Sequence, residues 1–533
     1  MTRIARWLVF LFLASLGASA SQAQTINAAS CNQTDVAAAL AAITTDGTTV
    51  VVPAGNCTWT TPIQYVQTKS FTLQGAGAIS YSASSINGAG TDNTIIQDNI
   101  NRNTLGDFPL LGVTTAAGKS FRLTGFAFTY SASNTSVTFN ASVRIAGSST
   151  AVRIDHNHFN KINVVDLNFD GCTQGVVDHN QFDGTFNNEN QVRFGAQGCD
   201  PSGFGNASWT IPSNFGTSQF MFAENNNFQT VPATASQHVF TFDCGAGGRF
   251  VLRFNNIGYH ELWVTHGTGS GIDGRSCRTL EAYGNVLKYS NAPATDQGNV
   301  LIQYEGGGGI FWGNTTTAYV ALINADVVRT NNATYTQTAP PVGWGFCGTT
   351  RGPSNWDQNS NGTGYACIDS IGRGQGDLLT GNFPNKLNSA TGKVSWPNQV
   401  LDPVYVFSNT FNPPPNSPVH FWSNFAPVSI AENRDYYLQL PNVDEPSATF
   451  NGTAGIGQGP LSARPATCTP AVGYWATDQG NWNQSGSGPQ GQLFVCTATN
   501  TWTLYYTPFA YPHPLATSTP SAVPPTNTQG TPH

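Results

Sequence analysis

One phrase recurs along this chain. Residues 153–159 read RIDHNHF and residues 176–182 read VVDHNQF, 23 residues later. The phrase continues as FAENNNF (222–228), VLRFNNI (251–257), EAYGNVL (281–287) and IFWGNTT (310–316). Each copy holds an asparagine at the same place: Asn157, Asn180, Asn226, Asn255, Asn285 and Asn314. The intervals are 23, 46, 29, 30 and 29 residues, and the 46 is either two intervals or one with a long insertion. Between the copies lie strands that end in glycine: VVDLNFDG, QVRFG, HVFTFDCG, LWVTHG and LIQYEG. A unit of this length, holding two or three short strands, has no room for a crossover helix. It predicts instead one coil of a parallel β-helix, stacked about 4.8 Å from the next. Asparagines at one turn of successive coils then hydrogen-bond along a ladder, which explains their recurrence without any chemistry.

The flanking segments fit this plan. Arg3 and Arg6 precede the apolar run WLVFLFLASLGA and the small residues SASQAQ, the pattern of a secretory signal peptide over residues 1–23. No later segment approaches the length of a transmembrane helix. Removing those two arginines takes the formal charge from −7 to −9, so no basic footprint for nucleic acid exists. TDVAAALAAI (34–43) reads as a short capped helix that covers the open end of the solenoid before the strand TTVVVPAG. FTLQGAG and FRLTGFAFTY supply further early coils. The β-helix is expected over 25–440. A Trp- and Tyr-rich β module follows over 441–512, and a Pro/Thr-rich disordered tail over 513–533. The aromatics of the module suit either sugar stacking or a compact core. Ten cysteines in an exported chain are expected to pair as neighbours: Cys31 with Cys57, Cys172 with Cys199, Cys244 with Cys277, Cys347 with Cys367, and Cys468 with Cys496. Zinc is disfavoured, because no C-x-x-C pair is present.

Strand alternation sorts the side chains. Ile154, Val177, Ala223, Leu252, Ala282 and Phe311 form an inward apolar column, so Asp155, Asp178, Glu224, Arg253, Tyr283 and Trp312 point outward. Stacked carboxylates repel unless a cation lies between them, so Asp155, Asp178 and Glu224 are candidate calcium ligands. Asp155 and Asp178 are equally ordinary turn formers, and His156 and His179 read as turn or ladder residues. Glu281 is placed to pair with Arg253. Aligning the glycine-ended strands puts Asp170, Cys244, His266 and Glu305 in a second column, with Asp243, Thr265 and Tyr304 one residue earlier. His266 and Glu305 then lie on adjacent coils as a proton-transfer pair, with Arg193, Arg275 and Arg278 able to join from loops. GRGQGD (372–377) lacks the Lys-Ser/Thr ending of a phosphate loop and is set aside.

The opening helix, the VVVPAG strand and the RIDHNHF-type coils resemble the right-handed parallel β-helix of the pectin lyase-like superfamily. That superfamily holds lyases, hydrolases and non-catalytic surface proteins, so the resemblance alone does not choose a reaction. The polygalacturonase set of Asn-Thr-Asp, Asp-Asp, Gly-His-Gly and Arg-Ile-Lys is missing, which disfavours a hydrolase. RIDHNHF is similar to the pectate lyase Ile-Asp-His-Asn strand, but the Arg-x-Pro-x-x-Arg element is absent. NNENQVRFG (187–195) resembles a strand of alginate and chondroitin lyases, and this implies roles for Glu189 and Arg193. The expected function is therefore a secreted lyase acting on an acidic, uronate-containing polysaccharide. Catalytic candidates are Arg253, His266, Glu281 and Glu305, and substrate-binding candidates are Arg193, Arg278, Tyr283 and Trp312. Calcium is the one cofactor expected, and monomer is the default state. The alternative is a non-catalytic glycan-binding or cell-surface β-helix protein.

Overall fold

The computed structural model describes residues 23–80, 88–134, 136, 140–160, 165–184, 190–196, 205–230, 239–258, 261–267, 275–288, 300–317, 319, 321–325, 369–376, 387–388, 393–394, 399–413, 419–423 and 430–517. The signal-peptide reading of residues 1–23 falls almost wholly outside them, as does Glu189.

Among the described residues three long sheets dominate, of 12, 10 and 10 strands. Every neighbouring pair within them is parallel, as in Ala151–Asp155 beside Gly175–Asp178, His158–Asn160 beside Gln181–Gly184, and Val165–Gly171 beside Asn190–Gly195. The chain visits the first, second and third sheet in turn and then begins the next coil, which is the parallel β-helix expected from the repeat. The glycine-ended strands all belong to the third sheet. The strand holding Asp178 pairs directly with Met221–Glu224, so the interval of 46 is one coil with a long insertion.

The ladder forms. From Asn180 onward each asparagine side chain accepts from the backbone N–H and the amide of the asparagine one coil earlier, as Asn226 Oδ1 does from Asn180 N and Nδ2, both at 3.0 Å. Asn157 Oδ1 accepts from Phe126 N. The same bonds run on through Asn255, Asn285 and Asn314 to Asn409, one coil further than the sequence pattern reached. The residue before each ladder asparagine takes a left-handed backbone: His156 (φ 54°), His179 (φ 58°), Asn225 (φ 56°), Phe254 (φ 55°), Gly284 (φ 68°), Gly313 (φ 64°) and Ser408 (φ 55°). Glycine and asparagine reach that region readily, and Phe254 is the costly member. Two residues after Asn157, Asn180 and Asn226, Phe159, Phe182 and Phe228 turn inward and stack at 4.8 and 4.6 Å, and Phe128 of the coil before meets Phe159 at 5.4 Å.

The helix Gln33–Ala41 buries Val36, Ala39 and Leu40 against the first coils. Disulfides join Cys31 to Cys57, Cys244 to Cys277 and Cys468 to Cys496, as expected. Cys172 is disulfide-bonded, while Cys199, Cys347 and Cys367 lie outside the described residues. Beyond the solenoid, Ile456–Gly459, Gly473–Ala476, Gln492–Ala498 and Thr501–Tyr506 form a four-stranded sheet. A strap then runs back over the first sheet and ends in the short helix Pro514–Thr517. The first residues of the expected tail, 513–517, are thus ordered, and 518–533 lie outside the described residues. Among the described residues no helix is long and apolar enough to cross a membrane.

Candidate functional site

The outward column of the first sheet is in register as alternation requires. Thr124, Asp155, Asp178, Glu224, Arg253, Tyr283, Trp312 and Phe407 stand side by side on successive strands. None of the acids is available for calcium. Arg122 donates to both Asp155 oxygens at 2.7 and 2.6 Å, and Arg153 to both Asp178 oxygens at 2.9 and 2.8 Å. Arg253 Nε donates to Glu224 at 2.6 Å. All three acids are wholly buried. Burial disfavours the charge on Asp155, but Arg122, His156 and Arg153 outweigh it and hold that carboxyl below the usual range. The cations expected between these acids are arginines of the same sheet, two of them one coil back and two residues earlier. Among the described residues no three His, Cys, Asp or Glu side chains gather as a metal site. Asp155, Asp178 and Glu224 therefore do not fit a calcium ion.

The rest of that column is covered by the C-terminal module. Arg253 donates to the carbonyls of Phe509 at 2.7 Å and Ala510 at 2.9 Å and to the Tyr283 hydroxyl at 2.9 Å. Glu281 accepts from Gly216 N at 2.7 Å and from the Tyr506 hydroxyl at 2.8 Å. Burial pushes its carboxyl up to about 7, against the pull of those donors and Arg253. Tyr283 stacks on Trp312 at 4.9 Å, and Trp312 meets Trp475 of the module at 4.6 Å. Arg278 is buried, donates to Asp402 at 2.9 Å and lies over Trp209. Arg253, Glu281, Tyr283, Trp312 and Arg278 are thus held inside the protein rather than along a sugar groove. The module's own aromatics face this interface and its core, so the compact-core reading describes them. Facing outward on a strand means facing solvent only when no further layer covers the sheet.

The third sheet is different. Arg193 stands beside Asp243 on adjacent strands, with Nε 3.5 Å from Asp243 Oδ2. His266, just past the strand Glu261–Thr265, places Nε2 3.0 Å from Asp243 Oδ1 and Nδ1 3.7 Å from Glu305 Oε2. Glu305 is fixed from behind by Gly267 N and by the Gln303 amide, both at 2.8 Å. The side chains of Arg193 and His266 are 25% and 27% exposed, and those of Asp243 and Glu305 are 3% and 1% exposed. Burial lowers the basicity of the imidazole, but Asp243 and Glu305 outweigh it and hold His266 well above 6.5. Burial likewise opposes ionisation of Asp243, and His266 and Arg193 reverse that. At neutral pH the groups solvent meets are cations, and their counter-charges lie behind them.

The pairing of His266 with Glu305 follows the glycine alignment, whereas Cys244 of that column, and Tyr304 just before Glu305, turn into the core. Asp170 pairs with Arg144. Asp243 enters the cluster because the register shifts at Phe240/Phe242. A second histidine site, unread in the sequence, lies on the second sheet. There His158 Nδ1 is 2.8 Å from Asp92 and Nε2 is 3.1 Å from Asp183. Burial works against its charge, but the two acids raise it to about 9.

No family model and no curated protein matches this chain. Among solved structures it is similar to an alginate lyase from Paenibacillus sp. str. FPU-7, at 12% identity and a TM-score of 0.30, over 56% of this chain and 90% of that one. A likeness of that size decides nothing about chemistry.

Proposed function

We propose that this is a secreted protein that binds an acidic, uronate-containing polysaccharide on its third sheet and cleaves it by β-elimination. The observation that supports the reading is the Arg193–Asp243–His266–Glu305 cluster, with its cations outward and its acids behind. Arg193 takes the uronate carboxylate, which makes the C5 proton more acidic. Asp243 holds the Nε2–H tautomer of the imidazole, leaving the Nδ1 lone pair as base beside Glu305. Nδ1 takes the C5 proton, the C5–H electrons form the C4=C5 bond, and the C4–O4 bond breaks. The new imidazolium then returns its proton to O4, so no further reactant is needed. The imidazole is neutral only above its raised pKa, so cleavage favours alkaline solution.

A binding role without cleavage is supported by one specific feature: both ring nitrogens of His266 already face carboxylates. Incubation with alginate, polygalacturonate and chondroitin sulfate separates the readings through the ultraviolet absorbance of the unsaturated product. Binding without absorbance leaves the glycan-binding alternative. Neither binding nor absorbance on any acidic glycan refutes both.

A further inference from the structure

Polar groups on the outer face of the third sheet extend beyond the cluster. On Asn190–Gly195, Val192 and Phe194 point into the core, so Gln191 and Arg193 stand on the outer face. The register sets Gln191 beside Asp166, and sets Arg193 beside Asn168, which in turn lies beside Arg144. Gln191 is 1% exposed, and among the described residues neither its amide oxygen nor its amide nitrogen has a hydrogen-bond partner. Arg144 pairs with Asp170 through Nη2, while its buried Nε has no partner among the described residues. Ser142 Oγ, on the same face, is equally unpartnered. A buried amide with both groups unmet costs folding stability. Such a cost beside a site is the signature of a position kept for a ligand.

We infer that Gln191 and Arg144 form a further sugar subsite, towards the N-terminal end of the solenoid from His266. This rests on the third sheet being the glycan face. Arg144 receives one uronate carboxylate, and the Gln191 amide, two coils away on the strand of Arg193, donates to one hydroxyl of the adjoining sugar and accepts from another. Arg144 and Arg193 are two coils apart, about 10 Å, so a chain laid along the axis meets both with different sugars.

The test compares the full chain with Gln191→Met, which keeps the length of the side chain and removes its polar groups, and with Arg144→Met. Thermal melting is measured without ligand, and titration calorimetry uses alginate and polygalacturonate oligomers of increasing length. Gln191→Met is expected to raise the melting temperature by about 1–2 °C. It should also remove about tenfold of the affinity gained as the oligomer lengthens. Arg144→Met should weaken long oligomers and flatten the salt dependence of their binding. A lower melting temperature for Gln191→Met means that the amide only packs, which overturns the subsite. A higher melting temperature with unchanged affinity assigns the amide to a buried water and also overturns it. If the wild type binds the oligomers and both variants match it, the subsite alone fails. If the wild type binds none, the glycan face fails and the subsite with it.

Discussion

Removing the imidazole of His158 should make the stability of the protein less dependent on pH. The ring lies between Asp92 and Asp183 at 2.8 and 3.1 Å and is 14% exposed, and its pKa stands at about 9 against an ordinary 6.5. At about 1.4 kcal/mol for each tenfold step in proton affinity, that rise is worth about 3 kcal/mol. A folded-state pKa above the unfolded one gives stability that is complete below the unfolded pKa. That stability is lost as pH rises through about 9. Urea unfolding of wild type and His158→Gln at about pH 6 and about pH 10 isolates this term, since other titrations cancel in the difference. The wild type should lose about 3 kcal/mol more than the variant between those conditions. A difference that stays flat, or grows with pH, refutes the argument that the two acids hold the ring charged.

Three further outcomes follow from the geometry. Asp243→Asn removes the nearer acid from His266, so the rising limb of the pH–rate profile should move down by about one to three pH units while its plateau falls. A limb that does not move excludes His266 as the base. Arg253→Met leaves Glu224 buried without its guanidinium and cuts both bonds to the strap, a loss of about 3–5 kcal/mol; limited proteolysis should then cut within 507–517, and full resistance there argues against the clasp. Asn226→Ala breaks the ladder on both sides and orphans a buried backbone N–H, costing about 3 kcal/mol. Equal melting of this variant and the wild type would show that the ladder contributes little.

The coils and the ladder were legible because they repeat: one asparagine per coil, with apolar Ile154 and Val177 three residues earlier, admits few other folds. The use of the outward column was not legible. Alternation says that Asp178 and Trp312 leave the core but not whether a further layer meets them. The run Tyr283, Trp312, Phe407 is a packing surface in retrospect, and it carried a hint. The arginine partners stayed hidden for a geometric reason. Arg122 and Arg153 reach their acids diagonally, from two residues earlier on the previous strand, and no single-strand pattern displays that. The third-sheet cluster was half visible, through His266 and Glu305, and its other half depended on a register shift at Phe240/Phe242. Gln191 lay within the quoted QVRFG strand, two residues before Arg193, and nothing in its residue type distinguished it.

The strap reaches far back along the chain. Tyr506 bonds to Glu281 across 225 residues, and His513 bonds to Glu224 across 289. The described strands of the three sheets pair only with those of the adjoining coils, so coils can form progressively as the polypeptide emerges, each on the one before. The strap contacts cannot form until the coils and the four-stranded sheet have been made. Until then Arg253, Glu281 and the Tyr283–Trp312 wall stand uncovered, an adhesive surface on an otherwise assembled solenoid. A chain cut short before Tyr506 would keep its coils and that surface together, so closure by the strap makes the finished solenoid depend on the arrival of a segment made well after its coils.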